Sequence, residues 1–379
     1  MSQKEYFGSG AIENLKEQLS SLKPNKVLLI TGNNSYQSSG AREAIEPLLS
    51  GTHYERFYEF KTNPNVEDIK KGIKIFKANQ CDLTIAIGGG SCIDMAKAIN
   101  ALANQEGNLE DYITGKRSLE TSPGTLIAIP TTAGTGSEST HFAVVYIGKT
   151  KYSLAHQKML PTVAILDPNL TINLPQSITA ATGMDALGQA IEAHWSTNST
   201  EESRKYSMES IKLGIQNLEQ CVNNPNEQLR ENMLRASNLA GRAINIAKTT
   251  AAHAVSYPIT SHFGAPHGHA VGLTLPSFIL YNSQLEEGTK LNDTRGRNFV
   301  KERTEEIVQA LGCETPEQAK ELLTKLMGKI GLETRLSKLG VTEEGIQLII
   351  KNGFNPQRVK NNPKDLSEED LRLILTDIF

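Results

Sequence analysis

The chain is poor in the features that mark several large classes of protein. Its four cysteines, Cys81, Cys92, Cys221 and Cys313, are scattered through 379 residues, with no CxxC pair among them. That spacing excludes a disulfide framework and suits a reduced, cytoplasmic protein with free thiols. No apolar run approaches the roughly 20 residues that span a bilayer. Lys4 and Glu5 stand before Phe7, so the first residues lack the charged-then-apolar plan of a signal peptide. Thirty-nine basic residues against 42 acidic ones give a net charge of −3, with no lysine and arginine run. Electrostatic binding of nucleic acid therefore has no support.

What is present suits a soluble globular protein, with hydrophobic residues at 38% and charged residues at 21%. The length exceeds one ordinary core and predicts two domains, drawn at 1–175 and 176–379. In the first half, strand-like runs at Lys26–Thr31, Tyr54–Tyr58, Asp82–Ile87 and Thr125–Ile129 alternate with helical patterns at Gly40–Leu49, Val66–Asn79 and Cys92–Ala103. This alternation predicts a parallel sheet covered on both faces, with the third run central. From about Gln176 the rhythm becomes helical, at Ile178–Trp195, Glu201–Val222, Glu227–Ile246 and Arg297–Leu311. Asp167-Pro168 and Leu174-Pro175 mark the change. The expected fold class is α/β plus all-α, with a ligand cleft between the two parts.

Two loops point to a dinucleotide. Gly88-Gly89-Gly90-Ser91 follows a predicted strand and opens a helix that carries Asp94. Side-chain-free backbone at a helix N-terminus favours phosphate. The run is not GxGxxG, and taken alone it serves equally as a tight turn. Pro130-Thr131-Thr132-Ala133-Gly134-Thr135-Gly136-Ser137-Glu138 follows another strand end with hydroxyls between small residues. Such loops past parallel strands wrap ribose and phosphate groups. Cys92 lies beside the first loop with nothing to make it a nucleophile.

In the helical half, Asp185 and Gln189 stand one turn apart, and His253 and His267 follow. A carboxylate and two imidazoles can hold a divalent ion with positions left open. Any one of these histidines could equally cap a helix or face solvent.

GGGSCIDMAK, PTTAGTGSE, GMDAL and PHG, in this order, resemble the iron-containing (group III) alcohol dehydrogenase family across essentially the whole chain. The resemblance implies a dehydroquinate-synthase-like fold, in which an NAD(P)-binding α/β domain joins a helical metal domain, often as a homodimer. It implies Fe(II) or Zn(II) on Asp185, Gln189, His253 and His267. The dinucleotide contacts it implies are Asn33, Gly88, Gly89, Gly90, Ser91, Asp94, Thr131, Thr132, Thr135, Ser137 and Lys151. Three positions depart from the family. Gln189 replaces a histidine, so the site binds metal more weakly, prefers another ion or turns Gln189 to substrate. Tyr257 stands where many relatives have a further histidine. Lys248-Thr249-Thr250-Ala251-Ala252 replaces a small, glycine-containing run. A cation and two hydroxyls suit an anionic substrate, unless Lys248 simply reaches solvent. KTTA followed by HAVSYP resembles the branch reducing sulfoacetaldehyde or phosphonoacetaldehyde.

The expected chemistry is hydride transfer between NAD and a small anionic aldehyde polarised by the metal. Lys248, with His141, anchors the anionic tail, and a proton arrives through Tyr257, a histidine or water. A general short-chain alcohol dehydrogenase is an alternative. A dehydroquinate-synthase-like lyase and a non-enzymatic dinucleotide-binding regulator are rivals of other classes. The loop Thr31-Gly32-Asn33-Asn34-Ser35 offers neither acid nor base to an adenosine 2′-phosphate, which favours NAD over NADP.

Overall fold

A computed structural model describes residues 3–148, 150–354 and 356–379. The chain divides into two compact units, Met1–Thr132 with Gly136–Leu174, and Ala133–Thr135 with Pro175–Phe379.

The first unit carries strands β1 (Lys4–Phe7), β2 (Val27–Thr31), β3 (Tyr54–Phe57), β4 (Leu83–Gly88), β5 (Thr125–Pro130), β6 (Phe142–Ile147), β7 (Thr150–Ala155) and β8 (Val163–Leu166). Its helices are α1 (Asn14–Leu22), α2 (Ser35–Ser38), α3 (Ala41–Ile45), α4 (Val66–Ala78), α5 (Gly90–Leu102) and α6 (Leu109–Ile113). Six strands form one parallel sheet in the order β1-β8-β5-β4-β2-β3, and β6 pairs with β7 as an antiparallel hairpin. β4 lies between β2 and β5, with Ile85 opposite Leu29 and Ile127. Side chains alternate across a strand, so a doubly covered sheet needs apolar residues at both parities. Leu28, Ile30, Ala86 and Ala128 feed one buried cluster, while Val27, Leu29, Ile85 and Ile129 feed another.

Two details differ from the sequence expectation. The helix expected over Gly40–Leu49 ends at Ile45, and Glu46–Leu49 is a 3-10 turn containing Pro47. Proline lacks the N–H that an α-helix would need there. The edge strand β1, the strand β8 and the hairpin were not expected. β1 has only four residues, KEYF, without a strong apolar rhythm.

The second unit contains α7 (Gln176–Trp195), α8 (Glu201–Asn223), α9 (Glu227–Ala247), α10 (Ala251–Phe263), α11 (His267–Ser283), α12 (Arg297–Ala310), α13 (Pro316–Lys329), α14 (Glu343–Gly353), α15 (Pro356–Val359) and α16 (Glu368–Asp377). Among the described residues this unit has no strand. α7 packs against α8, α9 and α11, and every residue from Gly183 through Trp195 is buried. A helix apolar all round belongs in the middle of a bundle. It carries Asp185, Gln189 and Glu192 into the interior with it. Among the described residues, no helix is long and apolar enough to cross a membrane.

Candidate active site

The first unit presents its loops at the ends of β4 and β5. A Cβ added at Gly88 would lie 2.7 Å from the Cβ of Cys92, so only glycine lets β4 turn so tightly into α5. Gly89 caps α5 in an extended conformation, and Thr131 N–H donates to the Gly88 carbonyl at 3.1 Å. Burial pushes the Cys92 thiol up to about 12. Its Sγ donates to the Ile30 and Ile87 carbonyls at 3.2 and 3.3 Å, the setting of an inert cysteine. Ser91 Oγ accepts from Asn63 N–H at 3.2 Å, and Thr132 packs against Gly89.

Two expected dinucleotide contacts are tied to one another. Ser137 donates to Asp94, whose other oxygen accepts from Val144 N–H at 2.9 Å. Lys151, opposite Tyr146 on the hairpin, contributes a favourable field at Asp94. Sequence reasoning missed Lys97, one turn past Asp94 and fully buried. Its ammonium donates to Ser137 Oγ, Thr140 Oγ1 and the Phe142 carbonyl at 3.1, 2.8 and 2.9 Å. Burial pulls its pKa down to about 8, against the opposing pull of Asp94 and Glu138. The hydroxyl-rich loop is thus braced from within by α5. Thr135 belongs to the second unit.

Asn33 precedes the short α2. The premise that this loop has no cation nearby is corrected by the structure. Arg56, on the neighbouring β3, donates to Thr31 Oγ1 at 2.8 Å and to the Gly32 carbonyl at 3.2 Å. Its guanidinium lies over the rings of Tyr36 and Tyr58, at 4.7 and 4.5 Å. Parallel pairing of β2 with β3 brings it there. His141 sits at the base of the hairpin, where its carbonyl accepts from His156 N–H at 3.1 Å. With Ala155, His156, Gln157 and Lys158 it lines a cavity of about 470 Å³.

The second unit brings Asp185, His253 and His267 together, with one donor atom of each within 4.8 Å of the others. Nε2 of His253 stands 3.3 Å, and Nε2 of His267 3.8 Å, from the same Asp185 oxygen. Gly268 permits this approach. A Cβ there would fall 1.9 Å from the Ala181 carbonyl and 2.8 Å from the Asp185 Cβ. The first turn of α11 therefore lies directly on α7.

Both imidazoles are oriented from behind. Ser256 Oγ donates to the His253 carbonyl at 2.8 Å, so its lone pairs face His267 Nδ1 at 3.3 Å. That leaves the lone pair of His267 on Nε2, toward Asp185. Fully buried Glu192 accepts from His253 Nδ1, from Thr250 Oγ1 at 2.7 Å and from Ala252 N–H at 2.8 Å. Burial disfavours charge on His253, but Glu192 and Asp185 overcome it and raise its pKa to about 9. Burial likewise opposes ionisation of Asp185, and its bond with His253 and the charge of His267 bring it below the usual carboxylate range.

Gln189 supplies the test of whether a metal fits. Its Oε1 is buried with no hydrogen-bond partner, although the side chain bonds to Asp185. A buried, unsatisfied acceptor costs free energy unless something occupies it. An amide oxygen, a carboxylate and two imidazole nitrogens make a donor set suited to a divalent ion. The residues present fit the group. Glu192 was missed by sequence reasoning. The signal was available, because a second acid in the apolar run GMDALGQAIEAHW, two turns past Asp185, needs a buried partner of its own.

Tyr257 stacks on His267, with centroids 5.8 Å apart and planes 21° from parallel. Lys248 is half-buried at the C-cap of α9 and adopts φ 65°, ψ 169°. Burial, followed by the charge of Arg358, lowers its pKa to about 8.

Two family models match the chain. One described as iron-containing alcohol dehydrogenase covers residues 2–168, and one for the C-terminal part of the same family covers 179–379. The 1,3-propanediol dehydrogenase of Klebsiella pneumoniae is 31% identical over 99% of this chain and 96% of its own. Long-chain-alcohol dehydrogenase 1 of Geobacillus thermodenitrificans is 30% identical over 99% of this chain and 94% of its own. Among solved structures, sulfoacetaldehyde reductase from Bifidobacterium kashiwanohense in complex with NAD+ superposes with TM-score 0.89 at 31% identity. That match covers 99% of this chain and 96% of the other.

Proposed function

The chain belongs to the iron-containing alcohol dehydrogenase family, and on that premise we propose that it reduces a small anionic aldehyde with NADH, sulfoacetaldehyde giving isethionate. The balance is aldehyde, NADH and a proton giving alcohol and NAD+. The observation that carries the substrate class is Lys248, a half-buried cation at the start of the segment that ends in the metal-site residue His253. The likeness to a sulfoacetaldehyde reductase supports the same reading.

Asp185, Gln189, His253 and His267 would hold the divalent ion. Asn33, Gly88–Ser91 and Thr131–Ser137 would hold the dinucleotide. When bound, the ion supplies Lewis acidity toward a carbonyl oxygen and the dinucleotide supplies a hydride. The protein's own contributions are position and charge. Glu192 keeps the Nε2 lone pair of His253 facing the site, as Ser256 does for His267. Lys248 anchors the anionic tail and thereby orients the carbonyl. Tyr257, stacked on His267, places a phenol beside a metal ligand, which supports it as the source of the proton for the product oxygen.

The test is a panel of small aldehydes assayed with NADH and NADPH, with and without chelator and added Fe(II) or Zn(II). Sulfoacetaldehyde should show a higher kcat/KM than propanal, and chelation should remove activity that metal restores. Higher kcat/KM with phosphonoacetaldehyde would redirect the assignment to that anion. Preference for propanal would favour the general short-chain reading, for which the likeness to a 1,3-propanediol dehydrogenase speaks.

A further inference from the structure

Lys248 is held in a backbone conformation that side chains avoid. Its φ of 65° with ψ of 169° lies in a region populated almost only by glycine. The following residues are gripped from far along the chain. Arg358, on α15, donates through Nη1 to Thr249 Oγ1 at 3.0 Å. Just past α15, Asn361 donates through Nδ2 to the Thr249 carbonyl at 3.0 Å, while its own carbonyl accepts from Thr197 N–H at 2.9 Å. Thr250 then donates to Glu192, which holds His253.

This arrangement brings two cations together. Lys248 precedes Thr249, Arg358 binds the Thr249 hydroxyl, and the charge of Arg358 acts on the Lys248 ammonium. Two half-buried positive charges within electrostatic reach of one another repel, and an anion lying against both is attracted by each. The two groups are complementary in shape. A guanidinium presents a flat fork that engages two oxygens of one anion, whereas an ammonium acts as a compact point charge. A tetrahedral XO3 group offers enough oxygens for both.

We infer that Arg358 is a specificity-determining residue, forming with Lys248 a two-cation receptor for the sulfonate or phosphonate tail of the aldehyde. The inference rests on the anionic-substrate reading given above. The strained backbone at Lys248 and the clamp on Thr249 then share one purpose. They hold the tail-binding cation at a set position relative to His253, five residues on, so that tail and carbonyl are placed together.

The test uses the full-length, metal-loaded protein and the variants Arg358→Gln, Arg358→Lys and Lys248→Ala. Two quantities are read: the ratio of kcat/KM for sulfoacetaldehyde to that for propanal, and inhibition of propanal reduction by inorganic sulfate. Arg358→Gln should lower the ratio at least ~10-fold, mainly through KM, and weaken sulfate inhibition in step. Arg358→Lys should recover part of both, and melting temperatures check that each variant is folded. Equal losses on both aldehydes in the Gln and Lys variants would reduce Arg358 to a structural brace and overturn the inference. A ratio that collapses in Lys248→Ala yet survives in Arg358→Gln would also overturn it, while leaving the anionic-substrate reading intact. A wild-type enzyme that prefers propanal and ignores sulfate would remove both.

Discussion

Glu192 and His253, 61 residues apart in sequence, are joined in the interior through a carboxylate and Nδ1. The opposite nitrogen of the same ring stands 3.3 Å from Asp185. One buried acid thus decides which face of the imidazole is offered to an ion. Glu192→Gln, which keeps shape but loses charge, should weaken metal binding about 10- to 100-fold. Titration of metal-free protein with Zn(II) measures this directly. Unchanged affinity would show that the carboxylate serves only the fold.

Removing a ligand should be more severe. Asp185→Ala, His253→Ala and His267→Ala each leave too few donors for a stable open site. Each should lose most bound metal and activity, and Asp185→Ala and His253→Ala should also lower the stability of the metal-free protein, because they break the buried pair. Full metal content in all three would sink the site. Gln189→His is the companion variant. If the orphaned Gln189 oxygen is a ligand, the imidazole should tighten binding, and unchanged affinity would leave Gln189 as a support for Asp185 or a contact to substrate.

The raised pKa of His253, about 9, has a sign that can be checked. A folded-state pKa above the unfolded value means that the metal-free protein gains stability from the imidazolium below about pH 6.5. That contribution should be lost as pH rises through about 9, and it is on the order of 3 kcal/mol for a shift of this size. Urea midpoints of the metal-free protein should fall across this window. Metal uptake at pH 7 should release the His253 proton, seen as acidification in weak buffer. A flat stability profile with no proton release would contradict the arrangement.

NADH should be preferred over NADPH, although the reason shifts once Arg56 is seen beside the loop at Thr31 and Gly32. Its Nε and one terminal nitrogen are committed to Thr31 and Gly32, and its faces lie against Tyr36 and Tyr58. A guanidinium so engaged gives little to a 2′-phosphate. A clearly higher kcat/KM with NADPH would show that Arg56 turns outward to receive it.

Lys248 gives the substrate dependence a pH signature. Its lowered pKa, about 8, means that the free enzyme loses the ammonium as pH rises through that value. The ratio of kcat/KM for sulfoacetaldehyde to that for propanal should therefore fall above pH 8. Lys248→Ala should cost about 2–5 kcal/mol in kcat/KM for the charged aldehyde and should abolish the pH step in the ratio. Identical pH profiles for the two aldehydes would end the anchoring role.

What the chain shows by itself is the local chemistry. Glycines at the end of an apolar strand announce the turn at Gly88, and a four-residue spacing puts Asp185 and Gln189 on one face of α7. These are relations within a turn or two, and steric and hydrogen-bonding rules act at that range. The change from strand to helical rhythm near Gln176 is legible for the same reason. Packing decided the rest. Gly268 reads as a bland small residue until α11 meets α7, where it alone admits the contact that brings His267 to Asp185. Arg56 reaches the Thr31 loop only because β3 pairs with β2, and Arg358 reaches Thr249 across 109 residues. Such partners are set by which faces bury together, and a charged residue's own neighbours in sequence carry no record of the distant groups it will meet.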